Sequence, residues 1–208
     1  MSRRWRTTIF ALCLLLFAVL IWLDHSPFRQ WWQPQPQTNE QAKASDFEKY
    51  HAKTFTVAGV VDGDTIDIDI PDGEYNRTRI RLWGIDTPET KKPNTPVAYF
   101  GPEAADFTKK LALGKQVTVY LDEGNRTRGY YGRLLAYVQL PDRRFLNKVL
   151  VSEGFAYADL RFDHSYYHGY QKLEASARSG KKGLWKDVTR EQLPQWLQRK
   201  KTTLLLNK

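Results

Sequence analysis

The stretch Arg81–Thr90, RLWGIDTPET, carries an arginine, then Asp86-Thr87-Pro88-Glu89, and upstream stands Asp62-Gly63-Asp64-Thr65. Two or more carboxylates brought together bind a hard divalent cation through oxygen. A further carboxylate can take a proton from water. Arg81, with Arg133 of YYGRLLAY, can clamp a phosphate through paired, charge-assisted hydrogen bonds. A cation and two guanidiniums would neutralise the charge that builds on phosphorus during in-line attack, so such a set would hydrolyse a phosphodiester. Blander readings stand beside this one. Asp62-Gly63 suits a hairpin turn, although a turn does not require Asp64. For either arginine alone, a solvated strand edge is the commoner explanation. Asp86-Thr87-Pro88-Glu89 has the residues of a helix start. The Lys91-Lys92-Pro93-Asn94-Thr95-Pro96 that follows has two prolines and no apolar period, so a loop is predicted and there is no helix to cap.

Spacing alone does not bring these residues together, and that task falls to the elements around them. TFTVAGVVDGDTIDIDI reads as two strands around the Asp62-Gly63 turn, with Ile66, Ile68 and Ile70 alternating with Asp67 and Asp69. RTRIRLWGI reads as a third strand, Ile80 and Leu82 on one face and Arg79, Arg81 and Trp83 on the other. Pro102 and Glu103 open a helix that Gly114 ends. KQVTVYLD and GRLLAYVQL read as a fourth and a fifth strand, FLNKVLVSEG as a short helix, and Ser165 to Ser179 as a later one. Antiparallel strands of this number and length suggest a closed Greek-key barrel of the OB type.

Bulk properties bound the class. The chain has 208 residues, a net charge of +9 and 41% hydrophobic residues, enough for one domain with a real core and additional segments. The basic balance favours a polyanionic partner, nucleic acid or a membrane surface. The single cysteine, Cys13, excludes an intrachain disulfide and a cysteine zinc site. Arg3, Arg4 and Arg6 precede the uncharged run IFALCLLLFAVLIWL, about fifteen residues long against the ~20 of a comfortable bilayer span. No small-residue cleavage site follows, so residues 1–23 read as an uncleaved signal anchor, with a cleaved and secreted chain as the alternative. The arginines ahead of the span put the N-terminus in the cytoplasm and the rest outside. Residues 24–53, with QPQPQTNEQ, read as an extended juxtamembrane linker with Trp22, Trp31 and Trp32 at the headgroups. Residues 188–208 read as a solvated or weakly helical basic tail, or as a segment touching nucleic acid or anionic lipid.

From about Thr54 to Trp185 the chain resembles the staphylococcal nuclease (thermonuclease) family. VVDGDTIDI, RIRLWGIDTPET, FGPEAADFTKKL, GNRTRGYYGRLLAYV and LVSEGFAYA stand in that family's order at close to its spacing. The resemblance implies an α+β fold over residues 54–187, a five-stranded OB-fold barrel with three helices, here preceded by a transmembrane helix. It also implies a calcium-dependent nuclease that cleaves DNA, and by extension RNA, with little sequence preference and leaves 3′-phosphates. By that resemblance Asp64, Asp86 and the Thr87 carbonyl bind Ca2+, and Glu89 is the general base or water-positioning group. Arg81 and Arg133 hold the scissile phosphate, and Tyr131 holds the nucleotide's terminal phosphate. The family often has lysine where Tyr130 stands, so Tyr130 is expected to stack on a base. Lys91 and Lys92 are expected to touch the substrate backbone. The family's tyrosine pair after the second helix falls near Leu160 and Phe162, so base preference is expected to differ. The chain is expected to be monomeric, its domain outside a bacterial inner membrane. The rival reading is a non-catalytic OB module that binds nucleic acid or protein, which the retained Asp64, Arg81, Asp86, Glu89 and Arg133 disfavour.

Overall fold

Alternating apolar residues dictate the architecture. A computed structural model describes residues 12–17, 38–90 and 96–199. The chain divides into two compact units, Met1–Ala42 and Lys43–Lys208.

In the second unit five strands close a barrel in the order β1-β2-β3-β6-β5. They are β1 (Lys53–Asp62), β2 (Thr65–Ile68), β3 (Thr78–Leu82), β5 (Gln116–Tyr120) and β6 (Leu134–Gln139). β1 pairs with β5 through Lys53 to Thr56 and with β2 through Val57 to Asp62, and register breaks at Val57/Gly59 and Val60/Asp62 let it bend from one to the other. β3 pairs with β6 in parallel, so the barrel is mixed and not wholly antiparallel as the strand pattern suggests. Ile66, Ile68, Ile80, Leu82, Val119 and Leu134 point inward and are essentially inaccessible, each such side chain contributing about 1.5–3 kcal/mol by leaving water. On the outer face Asp67 lies opposite Arg79 and pairs with it at 2.8 Å.

The three helices expected on the barrel are α2 (Gly101–Ala112), α3 (Leu146–Ser152) and α4 (Tyr167–Ser179), each within a few residues of its sequence signals. A short pair, β4 (Ile85–Asp86) with β7 (Tyr157–Ala158), forms a separate two-stranded sheet that the sequence pattern does not distinguish from the third strand.

Two segments differ from expectation. Part of the stretch read as an extended linker is a helix, α1 (Asn39–Tyr50). Its Tyr50 is fully buried, with its hydroxyl 3.1 Å from Thr78 Oγ1, because the linker's last turn completes the barrel's end. Part of the stretch read as a solvated or weakly helical tail is helical but not solvated. A 3-10 turn (Arg190–Gln192) leads to α5 (Gln195–Arg199), with Leu193 and Leu197 buried in a second apolar cluster alongside Tyr157, Leu184 and Trp185. Apolar residues at these two positions have a surface to cover, and that surface exists only after α4 has docked. In the first unit, residues 12–17 are helical and Leu12, Leu14, Leu15, Leu16 and Phe17 are exposed. Among the described residues no helix is long and apolar enough to cross a membrane. The rest of the expected anchor, Trp22, Trp31, Trp32, Lys91, Lys92 and residues 200–208 lie outside the described residues.

Candidate active site

Four connections converge at one end of the barrel: the β1–β2 turn, the segment after β4, the loop before β6 and the loop after β7. Together they line a cleft of about 230 Å³ with Asp62, Asp64, Arg81, Asp86, Thr87, Pro88, Glu89, Arg133 and Arg161. Every catalytic and metal-ligating residue expected from the sequence is therefore in one place.

The β1–β2 turn is built from Gly63 and Asp64, since Asp62 pairs with Thr65. Gly63 is required by proximity: a Cβ there would stand 2.8 Å from the Thr87 side chain. That close approach lets Asp64 Oδ2 accept from both the backbone N–H (2.8 Å) and the hydroxyl (3.0 Å) of Thr87. The turn after β4 is thereby tied to the turn after β1. No helix follows Thr87 among the described residues up to Thr90, as the prolines of this stretch predict. Gly84 has φ +76°, and a Cβ there would strike the His164 ring at 2.4 Å. Only glycine gives the kink that separates β3 from β4 and swings Asp86 over the cleft.

Arg81 forms the centre. Thr65 and Arg81 are directly opposed in the β2–β3 ladder, so the guanidinium rises beside Asp64. Nη1 lies 2.8 Å from Asp64 Oδ2 and Nη2 lies 2.8 Å from Asp86 Oδ1. The same cation thus spans both carboxylates. A guanidinium has five N–H donors, so two carboxylates do not exhaust it. Burial works against the Arg81 charge, yet Asp64, Asp86 and Asp62 outweigh it and hold its pKa above the ordinary value. The carboxylates are crowded even so. Burial, opposed by Arg81, pushes Asp86 up to about 6. Burial and then the neighbouring Asp64 charge push Asp62 up to about 6. Negative charge exceeds what the guanidinium offsets, and the candidate ligand atoms of Asp64, Asp86 and Thr87 are all oxygens, which fits a hard cation such as Ca2+ or Mg2+. Among the described residues no group of three or more His, Cys, Asp or Glu side chains is itself arranged as a metal cage. The fit is therefore to an open site with two carboxylates, and not to a closed one.

The other groups sit around this centre. Arg133, just ahead of β6, reaches Thr65 Oγ1 at 3.4 Å and lies 5.9 Å from the Tyr131 ring. Glu89 lines the cleft, and its Oε1 accepts the Thr90 N–H at 3.0 Å. Tyr130 and Tyr131 stand outside the cleft lining, 91% and 79% exposed, with their rings edge to face at 5.1 Å. Lys91 and Lys92 lie outside the described residues.

Three residues at the site escape a reading of the motifs. Asp62 passes for a turn residue. Arg161, after β7, reaches Asp86 Oδ2 at 3.3 Å while Asp159 holds its Nε at 2.7 Å. Its only sequence signal is a position near the tyrosine pair expected there. Trp196, in the stretch read as tail, donates Nε1–H to Asp86 Oδ2 at 2.8 Å. No local pattern announces it.

The description "staphylococcal nuclease homologue" belongs to a family model that matches residues 79–187. The chain is 39% identical over 144 residues to the thermonuclease of Staphylococcus hyicus, a match covering 69% of this chain and 82% of that one. It is 47% identical over 106 residues to the thermonuclease of Staphylococcus intermedius, covering 51% and 60%. It is 36% identical over 132 residues to endonuclease YncB of Bacillus subtilis (strain 168), covering 62% and 60%.

Proposed function

The chain belongs to the staphylococcal nuclease family, and on that premise we propose that it is a calcium-dependent nuclease that hydrolyses the phosphodiester bonds of DNA and RNA with little sequence preference, leaving 3′-phosphates. The observation that carries this reading is the meeting of Asp64, Asp86, Arg81, Glu89 and Arg133 in one cleft. Asp64, Asp86 and the Thr87 carbonyl are the groups to hold Ca2+. When bound, the ion would supply Lewis-acid polarisation of a phosphoryl oxygen.

The residues of this chain do the rest. Arg81, fixed in plane by two carboxylates, needs no reordering to present its remaining donors to a phosphate, and preorganised donors stabilise developing charge most effectively. Arg133 approaches from the β6 side of the same cleft and gives the second guanidinium. Glu89, in the same cleft, is the group assigned to orient water and accept its proton. Tyr131, its ring 5.9 Å from the Arg133 guanidinium, is the group to hold the nucleotide's terminal phosphate, and Tyr130 offers an exposed ring face suited to sequence-tolerant stacking on a base. The exposed apolar helix over residues 12–17 supports membrane attachment through residues 1–23, and the arginines ahead of the apolar run favour the outer side for the nuclease domain.

The test uses the full chain in detergent, with single-stranded DNA in calcium, in magnesium and in chelator. Calcium-dependent cleavage to 3′-phosphate ends is expected. Glu89→Gln is expected to lower turnover by at least a hundredfold while nucleic-acid affinity stays within a few-fold, since a general base typically contributes 10²–10⁴. Turnover surviving that substitution would remove Glu89 from its role. Tight binding without cleavage in any metal would favour a non-catalytic OB module.

A further inference from the structure

Trp196 lies outside the matched residues 79–187, and its contact with Asp86, which lies inside them, ties the C-terminal stretch to the centre of the cleft. We propose that Trp196 is a positioning residue that fixes the Asp86 carboxylate for cation binding, and that the C-terminal segment is therefore part of the active site. This rests on the reading of Asp86 as a metal ligand.

The geometry is a two-sided clamp. Arg81 holds Oδ1 at 2.8 Å from the barrel side, and Trp196 holds Oδ2 at 2.8 Å from the α5 side. With both oxygens tethered, rotation of the carboxylate about its Cβ–Cγ bond is blocked, and less freedom remains to be lost when a cation binds. The indole is suited to that work. Its N–H is a donor only, it carries no charge, and it has no lone pair to compete for a metal. A second arginine in its place would orient the carboxylate equally well but cancel the charge the cation needs. Arg161 partly does so from 3.3 Å, and it is drawn off by Asp159 at 2.7 and 2.8 Å. The Arg161 guanidinium also stacks over the Trp196 ring at 4.7 Å, which holds the indole in plane.

The segment that carries Trp196 is anchored independently of the contact. Leu193 and Leu197 are buried on either side of it. Thr189 and Gln192 close a capping box over the 3-10 turn, and Gln198 Nε2 donates to the Leu193 carbonyl at 2.6 Å. The indole is therefore delivered by a folded element and does not arrive by chance from a loose tail. Partners that hold a metal-ligating carboxylate affect affinity by 10–100-fold when removed.

The test is calorimetric titration of the full chain with calcium, without nucleic acid. Trp196→Phe keeps an aromatic ring under Arg161 and removes the N–H. Calcium affinity is expected to fall by about tenfold or more, with the melting temperature in chelator little changed. Should Trp196→Phe fold poorly, replacing the indole by benzothiophene keeps the ring shape and removes only the donor. Unchanged calcium affinity in the variant, with wild-type binding and cleavage intact, would make Trp196 a packing residue and overturn the inference alone. Tighter binding would make the indole an obstruction and overturn it too. A wild-type chain that binds no calcium and cleaves nothing would overturn the nuclease reading and this inference with it.

Discussion

Asp62, Asp64 and Asp86 crowd one cleft, and Arg81 alone spans only two of them. Such a site favours cation binding at the expense of the metal-free fold. Asp62 shows this most clearly. Its carboxyl is raised from 3.8 to about 6 by burial and by Asp64. A group raised on folding adds stability that is fully present below its unfolded pKa and is lost as pH rises through its folded pKa. Above about pH 6 the folded chain therefore carries a charge it would shed if it could. Asp62→Asn keeps an oxygen for the Asp64 N–H, which Asp62 Oδ1 accepts at 3.1 Å, and removes the charge. In chelator at pH 8 that variant should be more stable than the wild type by on the order of 3 kcal/mol, because each tenfold change in proton affinity is worth about 1.4 kcal/mol. Below about pH 3, under the unfolded pKa, the difference should vanish. Melting curves of both chains at about pH 3 and at pH 8 measure it, and a variant no more stable at pH 8 would refute the crowding. Its calcium affinity should fall, since the same charge attracts the cation.

Among the elements, α3 does more for the site than its seven residues suggest. Asn147 is completely buried. Its Oδ1 accepts the Val138 N–H at 3.0 Å, and its Nδ2 donates to the carbonyls of Trp83 at 3.0 Å and Ala136 at 3.2 Å. One side chain thus fastens helix to β6 and to the backbone just ahead of Gly84, where the chain turns toward Asp86. Asn147→Leu is isosteric enough to fill the space but strands the Val138 N–H and the Trp83 carbonyl. Each stranded group costs about 1–3 kcal/mol, so a loss of about 2–6 kcal/mol is expected in urea denaturation. A loss under about 1 kcal/mol would show that water reaches these groups. α1 is fastened by charge: Arg128 pairs with Asp46 of α1 at 2.5 Å and with Asp72. The start of α1 carries a local signal of its own. Thr38 and Gln41 form a reciprocal capping box, the Gln41 N–H to Thr38 Oγ1 at 3.2 Å and the Thr38 N–H to Gln41 Oε1 at 3.0 Å. The polar, proline-bearing stretch before it masks that signal.

At the scale of the whole molecule, the segment read as an anchor and the nuclease domain are separate problems. The residues 1–23 carry an uncharged apolar run behind three arginines and no small-residue cleavage site. An uncleaved, membrane-bound chain is expected. N-terminal sequencing of the membrane fraction should return Met1. A chain starting between about Asp24 and Gln30, found in the soluble extracytoplasmic fraction, would instead mean a cleaved signal and a secreted nuclease. Because α1 begins at Asn39 and its Asp46 holds Arg128 and Thr127, a soluble form must retain the residues from Thr38 onward to keep that helix intact.

Period and turn chemistry are local, so the alternation of Ile66 and Ile68, the Gly63 turn, the prolines after Thr87 and the starts of α2 and α3 could all be read from the chain of letters. The family's motifs likewise mark Asp64, Arg81, Asp86, Glu89 and Arg133 from sequence alone. Pairings between distant segments were not legible, because nothing in a sequence states which edge a strand will find. That is why β3 beside β6 in parallel, β4 beside β7, and Arg161 at Asp86 came only with the folded chain. Trp196 is the extreme case. Its surroundings in sequence are basic and polar, and its role depends on Leu193 and Leu197 covering a surface that forms only when β7, α4 and the turn at Trp185 have come together. A hydrogen bond spanning 110 residues is a product of that packing, and packing is a property of the whole.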